Sequence, residues 1–261
     1  MHIQRMKILM KEIILLSAVI GFVYGQSATQ GIMEAKKLIQ QGSAFASKEK
    51  FELAQSILAR YESQNEHLDL VEYYLGYIDY QMAVVVCKMD PEKAPAVLDS
   101  AVVHLEKAIS INENMAEAHA LLSSCYGVQI SFSPMSGAWR GPKSGYEMQK
   151  AQTLSPENPR VALLGAIGIY NTPTMYGGGK EEGFEAMKEA VDLFQRWKNV
   201  DSLQPDWGSE QVHAWLGLAH LNRKETILAR KEFDKALEIN PDYGWVKYVL
   251  LPKVISEPEV H

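Results

Sequence analysis

The 261-residue sequence predicts an all-α protein built from successive helix pairs, and its hydrophobic content of 47% is sufficient to bury a core. Apolar residues recur at helical spacing along most of the chain, and the runs end at Pro, Gly or Ser. Small residues also return at fixed intervals. Gly76 follows Gly42 by 34 positions, and 19 positions separate both Gly42 from Tyr61 and Gly217 from Ala236. This regularity indicates a repeated unit of two helices.

Residues 210–243 give the most regular unit. Its first helix carries a large residue, a small one and an aromatic-like one, and its second carries small, aromatic and small residues before a terminal Pro. These marker positions are Leu216, Gly217, His220, Ala229, Phe233, Ala236 and Pro241. Their order resembles the tetratricopeptide repeat (TPR), whose period is about 34 residues. The small residues permit close approach of the two helices, and Leu216 and Phe233 fill the space between them.

The resemblance implies a right-handed superhelical solenoid of about five helix pairs with a C-terminal capping helix. In chain order, the predicted repeats span approximately residues 31–68, 69–115, 116–157, 158–197 and 210–243, and the cap spans 244–252. We expect Pro252 to end the cap helix. Units two to four carry extra residues, so their helices or turns are predicted to be longer than those of the regular unit.

Several connections break the repeat pattern. Residues 131–145 are rich in Ser, Gly and Pro and are predicted to form a long exposed loop, after which the second helix of the third unit resumes at Gly145. Residues 172–180 contain three consecutive glycines, which predict a tight turn because glycine adopts backbone conformations closed to other residues. Residues 198–209 link the fourth unit to the fifth. We expect the specific function of the chain to reside in the additions at 89–100, 131–145 and 172–180.

The N-terminus has the features of a secretory signal peptide. Basic residues precede an apolar run at 13–23 that is too short for a membrane span, and Val23 and Gly25 are small enough for a cleavage site. We therefore expect a signal peptide at residues 1–25, a single mature domain at 26–261, and export to the periplasm or cell envelope. An uncleaved interfacial or anchoring helix is the alternative.

The charge of the chain argues against nucleic acid as a partner. The formal charge is −6, and loss of Arg5, Lys7, Lys11 and Glu12 with the signal peptide changes it to −8. Such an acidic protein does not bind nucleic acid or an anionic membrane through bulk attraction. We predict membrane contact only through an uncleaved N-terminal segment or through a partner.

Two cysteines, Cys87 and Cys125, are too few for a scaffold built on disulfides. Both lie in helical apolar patterns, so each is expected to be a small buried residue. An exported protein could still form a bridge between them, and the sequence leaves that pairing open.

Motifs for catalysis are missing, since the sequence contains no HExxH, CxxC, GxSxG or GxGxxG pattern. His119, His213 and His220 occupy positions where the repeat requires large packing groups, so we interpret them as core residues rather than metal ligands. The GGGK sequence at 177–180 lacks the full phosphate-loop spacing, and the two glutamates that follow it disfavour an anion. We predict no enzyme activity, no cofactor and no metal.

Two surfaces are candidates for partner binding. In TPR-like stacks the first helices of successive units line a concave groove, so the resemblance implies a protein or peptide ligand there. The candidates on those helices, which we expect to be exposed, are Glu117, Ser124, Arg160, Gln211, Leu218 and Asn222. The connecting loops could form a lip whose anchors are Trp139, Arg140, Met175, Tyr176 and Trp207. Alternatively, these loop residues pack back on the stack and order the loops.

The sequence therefore favours a non-catalytic exported scaffold that mediates protein–protein interaction in the periplasm or cell envelope. A second interpretation is a periplasmic solute-handling accessory protein, because the repeat order and the Gly-rich loops also resemble the T-component of tripartite ATP-independent transporters. An enzyme is a third class, which no motif supports.

Overall fold

A computed structural model of the chain describes residues 27–86 and 90–256. Over these residues the chain forms eleven α-helices and no strand, so the all-α prediction is confirmed there. The helices are α1 (Ala28–Phe45), α2 (Lys48–Leu58), α3 (Leu68–Gln81), α4 (Ala94–Ile111), α5 (Ala116–Phe132), α6 (Gly137–Leu154), α7 (Pro159–Asn171), α8 (Lys180–Arg196), α9 (Ser209–Asn222), α10 (Thr226–Ile239) and α11 (Leu251–Ser256). The predicted signal peptide and Cys87 lie outside the described residues. Among the described helices, none combines the length and the hydrophobicity of a membrane span.

The helices pack as consecutive pairs, and the pairs stack on one another. The pairs are α1 with α2, α3 with α4, α5 with α6, α7 with α8, and α9 with α10. Successive pairs meet where α1 and α2 pack on α3, α4 on α5, α5 on α7, and α8 on α9. Each pair therefore covers its apolar face with the next pair, which is the architecture of a helical solenoid.

Small residues bring the two helices of a pair together, as the sequence predicts. A Cβ atom added to Gly76 in α3 would lie 2.7 Å from the Leu105 side chain in α4. One added to Gly217 in α9 would lie 2.4 Å from the Phe233 ring in α10. Since Leu105 and Phe233 are fully buried, the glycines create the space that these side chains fill.

Local signals fix the helix boundaries that the sequence marks most clearly. The Ser47 side chain accepts a hydrogen bond from the Lys50 backbone N–H at the start of α2, in the turn predicted near Ser47. At the start of α7, Asn158 accepts from the Arg160 backbone N–H, and Pro159 occupies the first helical position. Both ends follow from capping chemistry that depends on neighbouring residues alone.

The prediction of a long exposed loop at 131–145 is wrong. A short 3₁₀ turn at Pro134–Ser136 leads directly into α6, which begins at Gly137 rather than Gly145 and contains Pro142. Tertiary contacts override the weak helix propensity of this segment: the Ser123 hydroxyl on α5 donates to the Ser144 carbonyl at 2.8 Å, and Ala151 is fully buried.

The C-terminal cap extends further than predicted. A π-helical turn at Trp245–Leu250 precedes α11, and the helix continues through Pro252 to Ser256. Leu251 keeps right-handed helical backbone angles, so Pro252, which has no backbone N–H to donate, lies inside the cap rather than at its end. The cap buries Val246 and Leu250 in the same cluster as Phe233, so it covers the end of the α9–α10 pair.

Candidate functional site

An irregular segment at residues 197–208, here called the strap, connects α8 to α9 and reaches back to the first helix pair. The Lys36 ammonium on α1 donates to the Ser202 carbonyl at 2.5 Å and to the Gln204 carbonyl at 2.8 Å. It also forms an ion pair with Asp206, at 3.1 Å. The strap therefore ties together parts of the chain that are more than 160 positions apart.

A row of tyrosines on α3 receives the other side of the strap. The Tyr74 hydroxyl donates to the Leu203 carbonyl at 2.7 Å. The indole of Trp207 stacks on Tyr77 with 4.7 Å between ring centroids, and its N–H donates to the Tyr73 hydroxyl at 3.0 Å. Burial raises the pKa of Tyr73 and Tyr74 well above the usual value, so both hydroxyls stay protonated.

The strap changes the interpretation of the predicted groove around α3. The sequence predicts Trp207 as a lip anchor, but the side chain is partly buried and packs against residues of two core clusters. The predicted groove residue Gln211 is also turned toward this row, since its side-chain amide donates to the Tyr77 hydroxyl at 3.4 Å. For Trp207, the alternative that it packs back on the stack is therefore the one observed.

The prediction that Arg160 is exposed is wrong, since only 2% of its surface is accessible. Its Nε lies 3.5 Å from a Glu117 carboxylate oxygen, and its guanidinium lies 5.4 Å from the Trp197 ring of the strap. Glu117 also accepts a hydrogen bond from the Asn158 side chain at 2.6 Å. The first turn of α7 is thus enclosed by α5 and the strap, which a pattern of helical faces does not reveal.

The remaining groove candidates do not share a common contact. The Ser124 hydroxyl donates to the Ala120 carbonyl of its own helix. Leu218 is partly buried against the last core cluster. Asn222 is exposed and donates from its side chain to the Tyr170 hydroxyl at 2.8 Å. Of the six candidates, the structure brings Glu117 and Arg160 into direct contact.

Large apolar side chains are exposed near two turns of the solenoid, and we call this group of side chains the apolar lip. Its members are Met135 (86% exposed), Trp139 (56%), Met175 (80%) and Tyr176 (73%). Met135 lies on the α5–α6 connection, and Trp139 lies in the first turn of α6, where the sequence predicted a loop. Met175 and Tyr176 lie on the α7–α8 turn. Since α5 and α7 are the first helices of neighbouring pairs and pack on each other, we infer that both turns lie at the same edge of the stack.

Arg140 is next to Trp139 of the lip, and its side chain is engaged in contacts within the protein. Its Nε donates to the Gln129 side chain at 2.8 Å, and its guanidinium lies 5.9 Å from the Trp139 ring. Met135 was not among the predicted anchors, because it lies in the segment predicted to be a long exposed loop. Its isolation between Pro134 and Ser136 was the signal available.

The Gly-rich sequence at 177–180 forms the tight turn that the sequence predicts. Gly177 has a left-handed backbone (φ +84), and a Cβ atom on Gly178 would lie 2.2 Å from the Thr172 carbonyl oxygen. The Lys180 ammonium lies 3.8 Å from the Tyr170 ring centroid, and burial lowers the pKa of Lys180. The lysine therefore contacts an aromatic face of its own helix pair.

The histidines make polar contacts that the repeat pattern does not predict. His119 and His213 are buried, as expected for packing positions, yet each has a glutamate within 2.7 Å: Glu147 for the first and Glu232 for the second. His220 is partly buried and is paired in the same way. The contacts of His119 and His213 join the two helices of a pair, and that of His220 joins α9 to the turn before α10.

A further histidine belongs to a group that could hold a metal ion among the residues the structure describes. Potential ligand atoms of Glu62, Glu72 and His104 lie within 4.8 Å of one another. Glu72 is fully buried, and the Lys107 ammonium lies 2.5 Å from its Oε1. Lys107 thus already supplies the positive charge that this carboxylate requires.

Comparison with known proteins identifies the architecture. No protein-family model and no curated protein matches the sequence. Among solved structures, the HusA haemophore from Porphyromonas gingivalis matches with a TM-score of 0.63 and 19% identity, over 76% of this chain and 96% of that one. TTC0263, a thermophilic TPR protein of Thermus thermophilus, matches with a TM-score of 0.59 and 12% identity, over 85% and 99% of the two chains.

The chain has a TPR-like fold. At these identities the likeness establishes the fold alone, so the function of this TPR-like chain has to be argued from its own surfaces.

Proposed function

We propose that this chain is an exported, non-catalytic scaffold that binds a protein partner through the apolar lip. The observation that carries the proposal is the exposure of four large apolar side chains at two neighbouring turns of the solenoid, namely Met135, Trp139, Met175 and Tyr176. Apolar side chains grouped on a surface mark sites of protein interaction, and aromatic residues are frequent among those that dominate binding. The acidic charge of the chain supports a protein rather than a nucleic acid as the partner.

Chemical cross-linking of mature protein in envelope extract tests the lip. We expect a defined cross-linked partner with the wild-type chain and its loss in the double variant Trp139→Ser, Met175→Ser. A Val103→Ser variant is the matched control, because Val103 is 62% exposed but lies on α4, which carries no residue of the lip. Equal cross-linking by all three proteins would refute the assignment of the lip.

Export rests on the signal-peptide features of residues 1–25. Mass spectrometry of the protein recovered from the envelope fraction tests it, with cleavage before Gln26 as the expected result. Recovery of the uncleaved chain in that fraction would instead support the anchoring alternative. Recovery from the cytoplasm would contradict export.

A second candidate function is binding of a planar apolar solute such as haem. Its support is that the structural neighbour HusA is a haemophore, together with the lip's mixture of aromatic and methionine side chains. A Soret-band titration of the mature protein with haemin tests it. Saturable binding that is lost in the Trp139→Ser, Met175→Ser variant would favour this function over the scaffold, and the absence of a spectral shift would exclude it.

The transporter interpretation makes a different prediction. A protein similar to a T-component would bind a small solute in the groove, and that solute should raise the melting temperature of the protein.

A further inference from the structure

The strap has the properties of a ligand that belongs to the same chain. Its internal hydrogen bonds are local, because the Asp201 side chain accepts from the Leu203 N–H at 2.9 Å and the Asp201 carbonyl accepts from the Gln204 N–H at 3.2 Å. A free peptide of the same sequence can form both bonds. The turn they define is therefore encoded within the segment itself.

The body of the protein recognises this turn through side chains on two helices. Lys36 on α1 and Tyr74 on α3 donate to three consecutive carbonyls of the strap, those of residues 202, 203 and 204. The Lys36 side chain is only 9% exposed and Tyr74 is buried. Buried donors require acceptors, so this part of the groove is built to receive backbone carbonyls.

Side chains of the strap occupy defined positions beyond the turn. Leu203 and Pro205 are buried, Asp206 pairs with Lys36, and Trp207 stacks on Tyr77. By contrast, residues 198–202 are exposed, and Val200 is 96% exposed. The strap is therefore held by side-chain contacts over residues 203–207 and is exposed to solvent over residues 198–202.

We propose that the strap is a displaceable internal ligand: the groove between α1 and α3 binds a peptide that carries a Leu-containing turn followed four residues later by Trp, and the strap must leave for such a peptide to bind. A tethered segment has a high effective concentration, which for short flexible links is in the millimolar range. The strap consequently protects the groove from weak ligands and admits a partner whose peptide matches the same contacts more closely.

The test uses the full mature chain with residues 201–207 replaced by Gly and Ser at unchanged length. A fluorescein-labelled peptide of residues 199–209 is the probe, and fluorescence anisotropy is the measurement. We expect saturable binding to the replaced protein and at least tenfold weaker binding to the wild type. A control peptide with Ser at the Leu203 and Trp207 positions should bind at least tenfold more weakly, and Lys36→Met in the replaced protein should weaken the probe similarly.

Two results would overturn the proposal in that experiment. One is no saturable binding by a replaced protein that keeps the wild-type helical circular dichroism. The other is equal binding of probe and control peptides.

If the variant with the replaced strap does not fold, the proposal can be tested on the wild-type protein. Hydrogen exchange of residues 198–207 is followed by mass spectrometry with and without millimolar peptide, which is isotopically labelled to distinguish its fragments. Faster exchange of the strap with the probe peptide, but not with the control peptide, supports displacement. Unchanged exchange identifies the strap as a fixed structural element and refutes the proposal.

Discussion

Trp207 stacks face to face on Tyr77, with 4.7 Å between ring centroids and 14° between ring planes, although the two residues are 130 positions apart. The contact joins the strap to the second helix pair, and the indole N–H adds a hydrogen bond to the neighbouring Tyr73. A loop residue therefore contributes to the packing of a helix that lies far from it in the sequence.

Replacing Trp207 with Ala is expected to destabilise the fold. Loss of a partly buried indole and its stacking lowers the free energy of unfolding by about 2 kcal/mol. Urea unfolding followed by circular dichroism measures it. Trp139→Ala is the matched control, because Trp139 is 56% exposed and its removal should change stability by about 0.5 kcal/mol or less. Equal stability of the two variants would contradict a packing role for Trp207.

Two glycine-to-alanine changes are expected to have opposite effects. Gly217→Ala places a Cβ atom 2.4 Å from the Phe233 ring, so overpacking should lower the free energy of unfolding by about 2 kcal/mol. Gly127 lies within α5 with no atom within 4 Å of an added Cβ, so Gly127→Ala should raise it by about 0.8 kcal/mol through helix propensity. Thermal unfolding of both variants provides the comparison. A stabilising Gly217→Ala would show that the helix pair can separate at no cost.

The buried carboxylate of Glu232 should make stability depend on acid pH. Burial raises its pKa, but the hydrogen bonds from His213 and Lys235 outweigh this effect, so the pKa lies below its usual 4.5. A lowered pKa means that the contribution of Glu232 is present above the unfolded value and is lost as the pH falls through the folded value.

Glu232→Gln is therefore expected to cost about 1 kcal/mol at pH 7 and progressively less below pH 4.5. Urea unfolding at several pH values measures the difference from wild type. Glu238→Gln, at an exposed site on the same helix, should show little effect at either pH. A cost of Glu232→Gln that does not change with pH would assign the effect to packing rather than ionisation.

The Cys125 thiol is expected to be unreactive in the folded protein. It is fully buried, and burial raises its pKa, so the reactive thiolate is scarce at pH 8. In a Cys87→Ser background, a chromogenic thiol reagent should modify Cys125 only after denaturant is added. Adding Val200→Cys to the same background provides an exposed thiol that should react at once. Rapid modification of Cys125 without denaturant would contradict this burial.

The sequence determined the features that depend on neighbouring residues and on spacing. Capping residues such as Ser47 and Asn158 fix helix starts within a few positions, and small residues such as Gly76 and Gly217 set the close approach within a pair. These signals repeat along the chain, so the all-α class and the paired arrangement follow from local chemistry and periodicity alone.

Tertiary structure decided what depends on contacts distant in the chain. Helix α6 forms across Gly and Pro residues because α5 supports it, and Arg160 is buried because the strap and α5 enclose it. Lys36 meets the carbonyls of residues 202 and 204 because stacking of the pairs brings α1 near the strap. Sequence periodicity cannot predict such a long-range contact, because the residues that form it are brought together by the packing of the whole solenoid and not by their sequence neighbours.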